Sequence, residues 1–256
     1  MHVVQYSGGI SSWGAAVRVV ARFGAENTVL VFADTLVEHP DTYRFLEESA
    51  SWLGARLVRL AKGESIWDVF KRRKFLGNSR NDPCSETLKR RVLRTYMNQN
   101  HDPERDVLYF GLDWTEGDRI GRVKERWAPW TVVCPLADWD PPKDKQWWID
   151  MAKEVGLPSQ ALYEAGMPHA NCGGGCVKAG ISHFVMLYHR FPETFAEWER
   201  NEEDVRRHIG KDVAILTDRR NGKRRPMTLA TLRERIEAGD PSLPKDEFGG
   251  CNCIVG

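Results

Sequence analysis

The chain opens with His2-Val3-Val4-Gln5-Tyr6-Ser7-Gly8-Gly9-Ile10-Ser11-Ser12, and an amphipathic helix pattern begins at Trp13. An apolar strand, a glycine turn edged with hydroxyls and a helix start together predict an anion-binding site. Glycines let the backbone approach oxygen atoms closely, and the free N–H groups and the helix dipole favour negative charge. The spacing fits neither a Walker loop nor a dinucleotide fingerprint. The alternative is a tight strand-to-helix turn of purely conformational origin.

The composition is that of an ordinary globular protein. Of 256 residues, 41% are hydrophobic and 29% charged, enough for one large domain or for one domain with an extension. Because no segment approaches the ~20 apolar residues of a membrane-spanning helix, we expect a cytoplasmic protein without a membrane partner. The net charge of +1 argues against binding of a polyanion such as a nucleic acid over much of the protein surface, but it allows local basic clusters. We expect the ten tryptophans to be core anchors, with base stacking as the alternative.

Strand and helix patterns alternate through the first 155 residues or so. The predicted strands are Val3–Tyr6, Thr28–Phe32, Arg56–Leu60, Val107–Phe110 and Thr131–Val133. The predicted helices are Ser12–Phe23, Asp41–Leu53, Ser65–Arg73, Ser85–Asn98 and Lys143–Val155. This alternation predicts a mainly parallel, doubly wound α/β sheet, in which ligands bind outside the carboxyl ends of the strands. The glycine loop follows the first of these strands.

The character of the sequence changes near Pro158, so we place a core domain at residues 1–157 and an extension packed on it at 158–256. Helical patterns at Ile181–Arg190, Pro192–Ile209 and Leu229–Ala238 make the extension mostly helical. The second pattern places four acidic residues on a face expected to be solvated: Glu197, Glu199, Glu202 and Glu203. Val213–Leu216 and the turn signal Asn221-Gly222 predict a small hairpin.

The glycine loop resembles the S-G-G-x-D-S loop of the PP-loop ATP pyrophosphatases, which hold the pyrophosphate half of ATP while a substrate is adenylated. The resemblance implies a nucleotide site built from Ser7, Gly8, Gly9, Ile10, Ser11 and Ser12. Ser11 stands where these enzymes usually carry Asp, which leaves open how Mg²⁺ would be held. Asp34-Thr35 resembles the D-T pair that lies close to the nucleotide in phosphoadenosine-phosphosulfate (PAPS) reductases, so Asp34 is a candidate substitute. A helix N-cap is the alternative role for Asp34.

Cys84 and Lys89 form a third match, because the PAPS reductase branch often carries a Cys followed several residues later by a Lys at this helix start. Asp82-Pro83 supplies an N-cap and a first-turn proline, and Lys89 lies about one and a half helical turns beyond Cys84. We take both as candidate catalytic residues. Lys89 could bind phosphate or lower a thiol pKa. The alternative for Cys84 is a buried residue that acts as a small apolar side chain, and the alternative for Lys89 is a solvated surface charge.

Gly111–Trp127 follows the fourth predicted strand and resembles the family loop G-x-R-x-x-E-x-x-R. Leu112-Asp113-Trp114 replaces the usual early arginine. Gly111, Arg119 and Arg122 are the candidate nucleotide contacts, since guanidinium groups pair bidentately with phosphate or sulfate oxygens. The alternative is a charged surface helix.

Four further cysteines predict a metal site. Cys172 and Cys176 form one close pair and Cys251 and Cys253 another, each flanked by glycines that allow tight wrapping of the backbone. Zinc and a 4Fe–4S cluster both accept four cysteinates. The irregular C-x-x-x-C and C-x-C spacings favour iron–sulfur over zinc. Cys84 is either a further ligand or a sulfur-bearing nucleophile, Cys134 is expected in the core, and His169 and His183 are expected to be structural.

The order of these motifs identifies the chain as a PAPS-reductase-like member of the PP-loop superfamily. The resemblance implies an adenine nucleotide alpha hydrolase-like fold with a metal-stapled extension. It further implies that ATP is bound, an acceptor is adenylated with pyrophosphate release, and sulfur chemistry follows at a cysteine-held cluster. The acceptor could be tRNA, DNA or a small molecule, a sulfur or electron donor protein is a conceivable partner, and homo-oligomer formation stays open.

Two other functions compete with this one. The first is a sulfonucleotide reductase that takes PAPS or its 3′-dephospho form, with a cysteine attacking sulfur. Many such reductases have lost part of the S-G-G pattern, which is intact here. The second is a non-catalytic nucleotide or nucleic-acid binding module with a structural zinc. The basic run 219–225 would suit a phosphate backbone, or would simply be a solvated turn.

Overall fold

The strand that precedes the glycine loop lies at the centre of a parallel sheet. In the computed structural model, which describes residues 1–244, the strands are β1 (His2–Gln5), β2 (Thr28–Asp34), β3 (Arg56–Ala61), β4 (Val107–Phe110) and β5 (Thr131–Val133). They are ordered β3-β2-β1-β4-β5, and every neighbouring pair is parallel. The predicted α/β architecture is therefore confirmed.

The helices follow the predicted pattern closely. The helices of the first part of the chain are α1 (Ile10–Phe23), α2 (Pro40–Leu53), α3 (Ile66–Arg73), α4 (Arg91–Asn100), α5 (Gly117–Trp127) and α6 (Lys145–Glu154). A short 3-10 turn occupies Trp114–Glu116, and a turn at Asn171–Gly174 has left-handed φ/ψ angles at Cys172 and Gly173. One departure is a π-helix at Ser85–Arg90, which directly precedes α4 where a continuous α-helix was predicted. The other is α5, which was not among the predicted helices and lies where a charged surface helix was the alternative.

Both faces of the sheet are covered. On one face Met97 of α4 and Trp127 of α5 pack with Val3, Val29 and other strand residues. Alternate strand residues point to the opposite face, where α1 packs with α2 and α6. There the Trp13 ring makes edge contacts with Phe45 and Trp148. Helices on both faces are the doubly wound arrangement, and these tryptophans are core anchors as expected.

The chain divides into two compact units. Unit 1 comprises Met1–Asp34, Pro40–Lys62 and Arg90–Ala161 and contains the whole parallel sheet. Unit 2 comprises Thr35–His39, Gly63–Lys89 and the described residues from Leu162 onward. Two segments from the first half of the sequence therefore belong to the same unit as the cysteine-containing part.

Unit 2 is mostly helical. Its later elements are α7 (Ala161–Glu164, which begins at the last residue of unit 1), α8 (Ile181–Arg190), α9 (Pro192–Ile209) and α10 (Leu229–Glu237), with an antiparallel hairpin of β6 (Leu216–Asp218) and β7 (Arg225–Met227). The apolar core of unit 2 joins α3, α8 and α9, with Trp67 meeting Trp198 at 4.8 Å between ring centroids. Across residues 1–244 none of the helices combines the length and the apolar character that a membrane crossing requires.

Glu202 does not lie on a solvated face, and the prediction for this residue was wrong. Its side chain is buried, and the two carboxylate oxygens accept the backbone N–H groups of Ile215 (2.8 Å) and Leu229 (2.6 Å). It therefore ties α9 to the residue before β6 and to the start of α10. Burial raises the pKa of Glu202 to about 7, even though both backbone donors favour the charged form.

We expect this carboxyl to make stability depend on pH. Because its folded-state pKa lies above the ordinary 4.5, its contribution is complete below about pH 4.5 and is lost as the pH rises through about 7. From pH 5.5 to 8 the loss should be about 2 kcal/mol. Urea unfolding at both pH values gives the free energy of unfolding of the wild type and of Glu202→Gln. The difference between the two proteins should change by this amount between pH 5.5 and pH 8. The exposed neighbour, in Glu203→Gln, is the control. An unchanged difference for Glu202→Gln would contradict the assignment.

Candidate functional site

The glycine loop leaves the amides of a helix N-terminus available. Gly8 has a φ of +75°, which glycine adopts without strain, and Gly9 is the N-cap of α1. Gly9 has no side chain with which to cap the helix, although its own N–H donates a long hydrogen bond to Ser7 Oγ at 3.4 Å. Ser12 Oγ accepts from Ser7 N at 3.2 Å and donates to Gly9 O at 2.7 Å, which fixes the turn. An uncapped, preformed N-terminus of this kind suits an anion.

Two neighbouring segments contact the glycine loop, one through Gln160 and the other through Thr42. Gln160 Nε2 donates to Gly8 O at 2.7 Å, and a Cβ on Gly8 would lie 3.0 Å from Thr42 Cγ2. The side chain of Ile10 is buried in the core, so only its backbone N–H is offered to a ligand. These contacts fix the backbone of the loop against α2 and the segment before α7.

The loop lies at the point where the strand order reverses. The chain proceeds from β1 to β2 and β3 on one side, then returns to add β4 on the other side of β1. The crevice at such a switch point is where ligands bind in doubly wound sheets. Gly111, directly after β4, is pressed onto the loop: a Cβ there would lie 2.5 Å from Ser11 O and 2.7 Å from Ser12 Cα. The candidate residues Gly111 and Ser11 are therefore brought together by the fold.

Asp34 ends β2 at the same edge of the sheet, but its carboxylate is already engaged. The side chain is buried, Arg59 donates to Oδ2 through Nε (2.8 Å) and Nη2 (2.6 Å), and Tyr43 Oη donates to Oδ1 at 2.8 Å. These contacts anchor β2 to β3 and α2. A role of Asp34 in holding Mg²⁺ or nucleotide stays a prediction.

Arg119 and Arg122 lie on α5, which follows Gly111 and the 3-10 turn at Trp114–Glu116. The charged segment is therefore helical, and both arginines are exposed. Arg119 Nη1 pairs with Glu116 Oε1 at 2.5 Å. Their proposed contact with phosphate or sulfate stays a prediction.

In unit 2, the π-helix explains how Cys84 and Lys89 come together. In an α-helix two residues five positions apart point about 140° away from each other. The wider π turn closes i to i+5 and brings such a pair back to one side. The Lys89 charge lies near enough to lower the pKa of Cys84, although burial dominates and raises that pKa to about 12. Cys176 adds to the rise.

Glu38 is the residue that the sequence analysis missed. Its buried carboxylate accepts the Cys172 backbone N–H at 2.6 Å and the Thr35 hydroxyl at 2.9 Å, and lies 3.5 Å from Lys89 Nζ. Burial tends to lower the pKa of Lys89, but Glu38 and the surrounding cysteines raise it overall. The available signal was the position of Glu38 three residues after the hydroxyl of Thr35, the spacing of a local side-chain hydrogen bond.

Cys172 and Cys176 form a hydrogen-bonded pair of thiols. Cys172 has a φ of +54°, rare for a side-chain-bearing residue, and Gly173 and Gly174 also have positive φ angles. The Cys172 thiol hydrogen-bonds to Cys176, which lowers the pKa of Cys176 and raises that of Cys172 well above its ordinary value. His169 also lowers the pKa of Cys176.

The surroundings of this pair include an unsatisfied buried atom. The Nδ1 atom of His169 is buried without a hydrogen-bond partner among the described residues, and its ring stacks on His183 at 4.6 Å. His183 is buried and hydrogen-bonds to Gly174 O, which is the structural role expected for it. Cys134 lies in the core of unit 1, also as expected.

A complete metal centre is not present in the part of the chain that the structure covers. Residues 1–244 contain no group of three or more His, Cys, Asp or Glu side chains arranged to hold a metal ion. The second cysteine pair, Cys251 and Cys253, lies outside the described residues. Metal binding by the four paired cysteines therefore stays a prediction.

A family model for the phosphoadenosine phosphosulfate reductase domain matches residues 1–190. The chain belongs to this family. Members of the PAPS reductase family are enzymes of sulfur metabolism. The match includes the glycine loop, Gly111, Cys84, Lys89 and the Cys172–Cys176 pair, whereas Cys251 and Cys253 lie beyond it. No curated protein matches the chain.

Proposed function

We propose that this member of the PAPS reductase family binds ATP at residues 7–12 and adenylates an acceptor, with release of pyrophosphate, in preparation for sulfur transfer. The observation that carries the proposal is the intact glycine loop with its uncapped helix N-terminus at the β1–β4 switch point. Such an N-terminus favours several negative oxygens at once, as in a pyrophosphate group. Reductases that act on PAPS hold no pyrophosphate and therefore have less need of an intact glycine loop.

The proposed chemistry has two steps. A carbonyl oxygen of the acceptor attacks the α-phosphorus of ATP, the bond to the β-phosphate oxygen breaks, and pyrophosphate leaves with the electron pair. The loop amides stabilise the charge that develops on the leaving group. The terminal sulfur of a donor protein's persulfide then displaces AMP and forms a carbon–sulfur bond. A thiol of the donor reduces the resulting disulfide and leaves the acceptor thiolated.

We further propose that the cysteines hold a 4Fe–4S cluster in preference to zinc. Three observations support a bound group: the positive φ angles at 172–174, the hydrogen bond between the thiols of Cys172 and Cys176, and the unpartnered buried Nδ1 of His169. Cys251 and Cys253 would supply the other two thiols, because within residues 1–244 Cys84 does not form a group of three potential ligands with Cys172 and Cys176. When bound, such a cluster supplies electrons or a site for sulfur. Glu38 would fix the Cys172 backbone, and Lys89 would offset the negative charge of the thiolates.

A sulfonucleotide reductase is the second candidate, and the family match favours it. In that reaction a cysteine sulfur would attack the sulfur of PAPS and release the adenine nucleotide, and a dithiol would then release sulfite. Cys84 is the candidate nucleophile.

Release of pyrophosphate from ATP distinguishes the proposed adenylation from sulfonucleotide reduction. We expect the anaerobically purified protein to release pyrophosphate from ATP in the presence of an acceptor, and to release no sulfite from PAPS with a dithiol. A coupled phosphate assay after pyrophosphatase treatment measures the first reaction, and ion chromatography of the released sulfite measures the second. Sulfite release without any pyrophosphate from ATP would replace the proposed function by the reductase.

A further inference from the structure

Helix α5 presents a face of arginines to solvent. Ile120, Val123 and Trp127 point inward and pack on the sheet core. Three exposed arginines, Arg119, Arg122 and Arg126, are spaced by three and four residues and so share the outer face. We call them the α5 arginine face.

This face is more cationic than the chain as a whole. Helix α5 carries four cationic side chains against two acidic ones, whereas the entire protein has a net charge of only +1. Arg94 of α4 adds a further cation close by, since it hydrogen-bonds to Arg126 O and its guanidinium lies 4.9 Å from the Trp127 ring centroid. The surface pair of Arg119 with Glu116 neutralises only part of this charge. The face is therefore complementary to an extended polyanion.

An exposed indole stands at the start of the same segment. Trp114 is 53% exposed, although the turn that carries it is well ordered by hydrogen bonds: Asp113 Oδ1 accepts from Thr115 N at 2.8 Å, and Asp113 and Glu116 form a capping box. A solvent-facing aromatic ring on such a turn is a stacking platform for an unpaired base. Arginines alone would suit any polyanion, but the addition of Trp114 favours one that carries bases.

The place of this surface in the fold links it to the proposed nucleotide. Trp114 and α5 follow directly from Gly111, which touches Ser11 of the loop at the carboxyl edge of β1 and β4. An acceptor lying along α5 would thus approach the edge at which ATP is proposed to bind.

From these observations we infer that Trp114 and the α5 arginine face bind a single-stranded nucleic acid, which serves as the acceptor. The role of the strand as acceptor rests on the proposed function. Binding of the strand to this surface can be tested independently of that function. An unpaired strand is required because only an unpaired base can stack on Trp114.

Fluorescence anisotropy with a labelled 20-nucleotide single-stranded RNA tests the surface. Three further probes are compared with it: the same sequence as single-stranded DNA, the same sequence as duplex DNA, and polyglutamate. We expect Trp114→Ala to weaken binding of the single strands about 10-fold. Replacing the three arginines of the face by Gln should lower the slope of log K against log salt by about 2. The hairpin triple variant Lys223→Gln, Arg224→Gln and Arg225→Gln removes the same charge elsewhere and should leave the Trp114 effect intact.

Three results would overturn the inference: no binding of any single strand, equal binding of polyglutamate, or equal losses of affinity from the α5 and hairpin triple variants. Preference for RNA or for DNA identifies the kind of strand and supports the inference in either case. The proposed function fails separately. Binding of the strand without pyrophosphate release would refute adenylation and retain the surface, whereas pyrophosphate release with a small acceptor and no strand binding would refute only the surface.

Discussion

Gly111→Ala is expected to reduce ATP binding about 100-fold, because displaced loop amides would lose hydrogen bonds to charged phosphate oxygens, which are worth about 1.5–3 kcal/mol each. The added Cβ would lie 2.5 Å from Ser11 O, 2.6 Å from Ser11 C and 2.7 Å from Ser12 Cα. All three are backbone atoms, so no side chain can rotate away. The strain can be relieved only by moving either the start of α1 or the end of β4.

Isothermal titration with a non-hydrolysable ATP analogue measures this loss. Gly121→Ala is the matched control, since Gly121 lies within α5 and a Cβ there would meet nothing within 4 Å. It should bind ATP as the wild type does and gain slightly in helix stability. Unfolding curves of both variants show whether the fold is retained. Normal ATP binding by folded Gly111→Ala would place the nucleotide elsewhere.

The regular part of the fold was predictable because each local signal agreed with the global arrangement. The strands Val107–Phe110 and Thr131–Val133 and the helices Ile181–Arg190 and Pro192–Ile209 have the predicted limits. Apolar runs buried on both faces of a sheet and amphipathic stripes on helices are read directly from the residue pattern. The glycine loop was predictable for the same reason, since its features are contiguous in sequence.

The parts that were missed depend on contacts between distant residues. Glu202 has the same chemistry as Glu203, and only the backbone N–H groups of Ile215 and Leu229 make its burial tolerable. Glu38 gains its place from the Cys172 N–H, 134 residues away. The π-helix at Ser85–Arg90 has an α-helical sequence pattern, and tertiary packing decides between the two helix types.

Replacing single cysteines by serine is expected to separate the metal ligands from core thiols. If Cys172 and Cys176 hold the cluster together with Cys251 and Cys253, Cys172→Ser and Cys176→Ser should each lower the iron content of anaerobically purified protein at least about 10-fold, since even indirect partners of a metal contribute that much. Serine nearly matches cysteine in shape but is a poor ligand for iron. Cys251→Ser and Cys253→Ser complete the series and show whether both of these thiols take part.

Cys134→Ser is the control that makes the series decisive. Cys134 is buried in the core of unit 1, where burial raises its pKa to about 11, so this variant carries the same cost of burying a hydroxyl without touching the proposed ligands. It should keep its iron and its visible absorption. Iron lost equally from Cys134→Ser would point to a general folding defect, and iron kept by both Cys172→Ser and Cys176→Ser would refute the site. If Cys84→Ser keeps its iron but releases no product, Cys84 is the nucleophile and not a ligand.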